Sequence, residues 1–472
     1  SIYTGLYAHH HGALDNTTQM KANLPLVQQI LRDNGYYTGF VGKYGQFQGK
    51  PEGFDWWAVS DGNIYIDALY TINGGPDTII PGHITDIYEN LALEFMNTVP
   101  EGKPFALFYF TRVPHGPTIP REEDMNLYTD EIMPLPANFY KYTKDYPSYF
   151  YNLHNWGFNE ALTDSLRLIE FQSLAGAEKN VTDFFSGLEA KGILDSTMII
   201  FTSDNGFLKG EHKLDAKQIA QEESIRVPLF IRFPAWFPAG STYVDKMAAN
   251  IDIAPTMLEA AGIPETYNMD GTSLKKLVDG QVQRPYFFYQ YAGEPGAPEI
   301  RAIRSLQYKY VRHYCNEVTE EFYDLVNDPE ENLNEINNTT YANLISYYKT
   351  TLDSIRTAEG DYTPQKINCY LVNSNKLAEG DSEYEAVNDR LLRLWPIPAS
   401  NFFIISYNEA GNREEISIQI TNTIGQLIYS KRFANTDVLN AEIYCKEWNE
   451  GVYTITLNKG DQSYSKKMII GR

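Results

Sequence analysis

Leu24, Val27, Ile30 and Leu31 recur every three or four positions on one helical face, and Gly35 supplies a stop behind them. The next apolar run, Tyr37 to Val41, predicts a short strand that ends at Gly42-Lys43. Ile84, Ile87, Tyr88, Leu91 and Phe95 mark a second amphipathic helix. The strand-like run Phe105 to Phe110 follows and ends at Val113-Pro114-His115. A third helix is predicted over Leu166 to Lys191, closed by Gly192. The apolar stretch Met198 to Phe201 then runs out at Ser203-Asp204-Asn205-Gly206, and Val227 to Phe233 forms another strand. Helices and strands that alternate over roughly the first 260 residues predict an α/β domain with a largely parallel sheet. Lys43, His115 and Asp204-Asn205 all fall just past the C-terminal ends of predicted strands, the edge where open α/β sheets bind ligands.

The pattern changes twice further on. Residues 285–373 read as a smaller α+β subdomain, with a strand-like Tyr308 to Arg312 and a turn-rich Tyr323-Asp324-Leu325-Val326-Asn327-Asp328-Pro329. Residues 374–393 are polar and acidic and are expected to be a linker. From residue 394 to 472, short alternating runs (Phe402 to Ser406, Ile416 to Ile420, Gln426 to Tyr429, Val452 to Leu457) are separated by Gly- and Asn-bearing turns, the pattern of a small all-β sandwich. Residues 1–284 are left as the main α/β domain.

Composition narrows the classes. The chain has 472 residues, 43% of them hydrophobic and 14% aromatic, enough to fill the cores of several domains. A formal net charge of -22 argues against nucleic acid or an anionic membrane surface as the main partner. Three cysteines, Cys315, Cys369 and Cys445, lie far apart without metal-ligand spacing and allow at most one disulfide. No apolar run reaches the roughly 20 residues of a transmembrane helix.

Several motifs share one order. Phe201-Thr202-Ser203-Asp204-Asn205-Gly206, then Gly210-Glu211-His212, Lys217 and Glu223-Ser224-Ile225-Arg226-Val227-Pro228-Leu229 resemble the type I sulfatases of the alkaline phosphatase superfamily. Ser1-Ile2-Tyr3-Thr4-Gly5-Leu6-Tyr7 is similar to the tail of that family's signature, Gly42-Lys43-Tyr44 to its lysine motif, and Val113-Pro114-His115-Gly116-Pro117 to its histidine motif. Asp252-Ile253-Ala254-Pro255-Thr256-Met257-Leu258 and Tyr323-Asp324-Leu325 resemble its late markers. The likeness spans residues 1–340 and leans towards N-acetylglucosamine-6-sulfatases, which also lack a histidine two residues after the lysine; Gly45 stands there. Residues 394–472 resemble the C-terminal sorting domain of the Bacteroidetes type IX secretion system. The likeness rests on Pro396-Ile397-Pro398-Ala399-Ser400-Asn401, Thr423-Ile424-Gly425-Gln426-Leu427-Ile428-Tyr429, Gly451-Val452-Tyr453 and the closing Lys466-Lys467-Met468-Ile469-Ile470.

The resemblance implies a mixed sheet flanked by helices and the hydrolysis of a sulfate ester on a sulfated polysaccharide or oligosaccharide. Asp204 and Asn205 would ligate one Ca2+, as hard oxygen donors suit a hard cation. Lys43 and Lys217 would clamp sulfate oxygens, and His115 would protonate the leaving alcohol. His212 and His11 are candidate substrate contacts, with His9, His10 or His11 a candidate replacement for the histidine absent at Gly45. Trp56 and Trp57 are assigned to core packing rather than sugar stacking. The family's formylglycine nucleophile and paired metal-binding aspartates would lie upstream of Ser1, so the chain alone is expected to be inactive and to bind calcium weakly. The tail implies export across the outer membrane to a secreted or cell-surface location. Two other readings stay open: a phosphoester or phosphonate hydrolase of the same superfamily, and a non-catalytic glycan-binding protein, which Gly45 favours.

Overall fold

The computed structural model describes residues 1–15, 18–44, 51–60, 64–116, 118–141, 147, 149–150, 160–293, 297–316, 319–367, 392–395, 402–408, 414–422, 425–436, 438–449, 451–460 and 462–470. The chain divides into two compact units, Ser1–Val372 and Asn373–Arg472.

The first unit begins with helices α1 (Ala8–His11) and α2 (Val27–Asp33), the latter burying Val27, Ile30 and Leu31. Gly35, at φ +92°, takes the left-handed turn just beyond α2. Strands β1 (Tyr37–Lys43), β2 (Trp56–Ser60), β3 (Leu69–Ile72) and β4 (Thr78–Ile79) come next. They are followed by helix α3 (Ile84–Thr98) and strand β5 (Phe105–Phe110). His83 caps α3, its Nδ1 accepting from Thr85 N at 3.2 Å. The face Ile84, Ile87, Tyr88, Leu91 and Phe95 packs into a core with Val41, Trp56 and Ala58 of the sheet. Full burial of a side chain such as Phe95 stabilises the unit by roughly 1.5–3 kcal/mol.

These strands form a five-stranded sheet in the order β4-β3-β2-β1-β5. β1 is parallel to both β2 and β5, whereas β2-β3 and β3-β4 are antiparallel. The expected largely parallel sheet is therefore confined to its β2-β1-β5 part. Helix α4 (Glu160–Ala190) starts earlier than the pattern predicts, because Glu160 to Asp164 contain no helix breaker. Strand β6 (Ile199–Thr202) follows it, then the hairpin β7 (Leu208–Lys209) and β8 (Asp215–Ala216), helix α5 (Glu222–Ile225) and strand β9 (Leu229–Arg232). β6 and β9 pair antiparallel as a two-stranded sheet on which Phe201 and Phe230 are 47% and 67% exposed. Helices α6 (Ile253–Ala260) and α7 (Leu274–Val278) complete this part.

Strands β10 (Phe287–Tyr291), β11 (Ile300–Arg304), β12 (Tyr308–His313) and β13 (Thr319–Asp324) build a four-stranded antiparallel sheet. Helix α8 (Ala342–Ala358) covers it, its Ile345, Tyr348 and Leu352 packing on Phe288, Ile303, Tyr310 and Phe322. Cys315 is disulfide-bonded.

The second unit is all β among its described residues. Strands β14 (Leu392–Trp395), β15 (Phe402–Asn408), β16 (Glu414–Asn422), β17 (Leu427–Thr436), β18 (Val438–Tyr444), β19 (Gly451–Lys459) and β20 (Gln462–Ile470) form two sheets, β14-β15-β18 and β17-β16-β19-β20. Alternate residues Ile416, Ile418 and Ile420 face one core with Tyr453, Ile455 and Leu457, which also holds Ile405, Ile443 and the free Cys445. The expected linker, 374–393, lies outside the described residues except at Leu392 and Arg393, which belong to β14.

Candidate active site

Because β1 and β5 are parallel, their C-terminal ends share one edge of the sheet. Lys43 is the last residue of β1. Its neighbour Gly42 has φ +133°, and a Cβ there would stand 2.1 Å from Phe110 O, so only glycine lets the two strand ends close up. Beyond β5 the chain turns back, with His115 N donating to Arg112 O at 2.8 Å. Tyr65 Oη donates to His115 O at 2.8 Å, and Arg112 Nη2 donates to Gly116 O at 3.1 Å. His115 Nδ1 also lies 2.7 Å from Gly116 O. A carbonyl only accepts, so Nδ1 carries the hydrogen and Nε2 is left for proton transfer.

The Ser203–Gly206 turn follows β6. Ser203 Oγ donates to Asn205 O at 2.9 Å, and Asn205 N donates to Asp204 Oδ1 at 2.9 Å. Gly206 N donates to Ser224 O at 3.0 Å, and a Cβ at Gly206 would sit 2.0 Å from Glu223 O. The turn is thereby pinned against α5. Lys217 Nζ donates to Asn205 Oδ1 at 3.0 Å.

The two halves meet at His115. The residue reaches solvent, yet partial burial, above all, lowers its pKa below the ordinary value. The bond to Gly116 O opposes that shift, and the nearby charges of Arg112, Lys217 and Lys43 add to it. Three cations thus act on one imidazole, with the Asp204–Asn205 turn joined to one of them, Lys217. This arrangement can hold an anion and hand a proton to a leaving group beside it.

Asp204 and Asn205 offer oxygen donors, which fit a hard cation such as calcium, and Lys217 already places a positive charge on Asn205 Oδ1. Two residues are fewer than the six to eight ligands calcium takes, so other oxygens would complete the shell. A separate group, His10, Asp270 and Glu359, brings three potential ligand atoms within 4.8 Å of one another. There Asp270 Oδ2 lies 2.7 Å from His10 Nδ1 and accepts from Tyr7 N at 2.7 Å.

Two expectations are corrected. His212 is 1% exposed, with Nδ1 at 2.9 Å from Lys141 O and Nε2 at 3.0 Å from both Asn138 Nδ2 and Glu330 O. It is an internal tie, not a substrate contact. His11 is 5% exposed, and its Nε2 lies 3.3 Å from Ser1 Oγ. Burial, above all, with His9, Lys21 and His10 beside it, pushes its pKa down, so it is a neutral packed ring. Trp56 and Trp57 are buried in the core, as assigned. Gly45 lies outside the described residues. Arg112 and Tyr65 were missed by sequence reasoning; the signal that could have found Arg112 is its place beyond a strand end, the criterion that singled out His115.

α5 is held from the second sheet. Glu222 pairs with Arg304 Nη2 at 2.9 Å and Lys309 Nζ at 3.2 Å, and Lys309 also pairs with Glu331 and donates to Ala220 O at 2.6 Å. Burial opposes ionisation of Glu222, but Lys309 and Arg304 prevail and hold it at about 2. Burial dominates at Glu331 and pushes it up to about 8.

Comparison with known proteins yields three family matches: "Sulfatase" over residues 1–263, "N-sulphoglucosamine sulphohydrolase, C-terminal" over 210–358, and "Secretion system C-terminal sorting domain" over 393–471. An N-acetylglucosamine-6-O-sulfatase of Bacteroides thetaiotaomicron is 25% identical over 419 residues, covering 72% of this chain and 74% of the relative. The human N-acetylglucosamine-6-sulfatase is 26% identical, covering 70% of this chain and 71% of its own. Among solved structures, one in complex with its substrate D-glucosamine-2-N,6-O-disulfate superposes with a TM-score of 0.71 at 24% identity, covering 77% of this chain and 88% of the other. The phosphonate monoester hydrolase of Agrobacterium radiobacter gives 0.61 at 20% identity, with 76% and 85% covered. The structural likenesses show an alkaline-phosphatase-like α/β fold.

Proposed function

The chain belongs to the sulfatase family and is a sulfuric ester hydrolase, and from that premise we propose that it removes a sulfate ester from a glucosamine-type carbohydrate in a calcium- and formylglycine-dependent reaction. The observation that carries this is the bond from Lys217 Nζ to Asn205 Oδ1, with Lys43 and Lys217 both close enough to His115 for their charges to act on it. Lys43 and Lys217 bind sulfate oxygens and gain strength as charge builds on them. Once a bound sulfate offsets the effects that depress its pKa, His115 takes up a proton at Nε2 and, as the imidazolium, delivers it to the departing sugar oxygen, its ring held by Nδ1–H on Gly116 O. Asp204 and Asn205 would hold a calcium ion, which would supply positive charge at the sulfate. The sugar class is supported by the relatives, which are N-acetylglucosamine-6-sulfatases. A phosphonate ester reading has fold likeness alone behind it.

The sorting-domain match marks the chain for export. Our reading is type IX export to a secreted or cell-surface location, which the disulfide at Cys315 supports as an oxidising address. No helix among the described residues is long and apolar enough to cross a membrane. The proposed division is 1–284 catalytic, 285–373 its α+β subdomain, 374–393 linker and 394–472 sorting domain. The test is sulfate release from 6-O-sulfated N-acetylglucosamine by the full-length gene product, with calcium and with a calcium chelator. Calcium-dependent release is expected. Turnover of a phosphonate ester with no sulfate release would overturn the reading.

A further inference from the structure

We propose that Arg112 and Tyr65 form a positioning clamp that fixes the backbone and ring of His115, so that its Nε2 alone faces the substrate. This rests on the reading of His115 as the acid. Arg112 and Tyr65 are 7% and 2% exposed, whereas the His115 ring is open to solvent. The clamp closes on two consecutive carbonyls: Tyr65 Oη holds His115 O, and Arg112 Nη2 holds Gly116 O. The guanidinium lies 5.6 Å from the Tyr65 ring centroid, so each half also steadies the other. Gly116 O is the oxygen that receives His115 Nδ1–H. With its direction set by Arg112, the ring keeps one tautomer and one orientation. An acid swinging on an exposed loop would lose the alignment that proton transfer needs. Burial is the largest influence on the His115 pKa; the cations Arg112 on its own turn, Lys217 near the Asn205 turn and Lys43 at the end of β1 act in the same direction.

The test is nitrogen NMR of the 472-residue chain with 15N-labelled histidine, using His115→Gln to identify the His115 signals. Wild type is expected to show the Nδ1–H tautomer at pH 8. Arg112→Met should mix the tautomers and raise the His115 pKa. Arg112→Lys should keep the pKa near wild type, because it keeps the charge, yet still mix the tautomers, because it lacks the fork. Tyr65→Phe should mix them with little change of pKa. A folded Arg112→Met protein with wild-type tautomer and pKa overturns the proposal. If that variant does not fold, an unchanged tautomer in Tyr65→Phe overturns it instead. Sulfate release by His115→Gln in the full-length product tests the acid role separately: full activity there sinks that role and leaves the NMR result standing.

Discussion

Replacing Lys309 with Met tests whether one buried ammonium holds α5, and with it the Asp204–Asn205 turn. Lys309 is 0% exposed and touches Glu222, Glu331 and Ala220 O. Removing one partner from a buried ion pair costs roughly 3–5 kcal/mol, since the other charge is left uncompensated. The charges decide where in that range this site falls. With Lys309 gone, burial acts on Glu331 unopposed and favours its neutral acid form, which needs no counter-ion. Glu222 is ionised but keeps Arg304 at 2.9 Å. The lower end, about 3 kcal/mol, is therefore expected, which for a unit of this size lowers Tm by about 5 °C. Scanning calorimetry at pH 7 reads it directly. Adding Glu222→Gln to Lys309→Met should recover part of the loss, because the stranded charge is then gone. An unchanged Tm in Lys309→Met would refute the reasoning.

Glu331→Gln should shift the pH dependence of stability. A carboxyl raised from 4.5 to about 8 by folding contributes stability that is full below its unfolded value and lost as pH rises through about 8. The Gln variant should therefore gain on wild type from about pH 5 to 8 in urea melts and level off above, and a pH-independent difference would refute this. His115→Gln in the full-length product should lower kcat for sulfate release by about 10²–10⁴-fold, the usual worth of a general acid, and a loss under tenfold would remove His115 from that role. Inorganic sulfate bound between Lys43 and Lys217 should raise the His115 pKa by offsetting the cations that depress it, and an NMR titration showing no rise would place the anion elsewhere.

Local pattern made much of this molecule legible. Phe105–Phe110 follows from a short unbroken apolar run and the buried face of Ile84–Thr98 from a period of 3.6, neither of which needs knowledge of distant residues. Lys43, His115 and the Asp204–Asn205 turn could be gathered from strand ends alone. What sequence hid depends on contacts across the chain. His212 sits in a motif yet turns inward at φ +52°, where Asn138 meets it. Arg112 looks like an ordinary surface charge until Tyr65 covers it. Lys309 and Glu222 are 87 positions apart, and no periodicity links them.

The β6-β9 pair has a further consequence, for colloidal behaviour. Among the described strands, β5 and β6 each pair on one side only, and Phe201 and Phe230 stand exposed on the short sheet. Open strand edges beside apolar side chains invite chain-to-chain pairing. The net charge of -22 opposes it by keeping molecules apart. That repulsion fades as the Debye length shrinks from about 10 Å at 0.1 M salt to about 3 Å at 1 M. Concentrated solutions should therefore scatter more light as salt is added, the reverse of a protein held together by surface ion pairs.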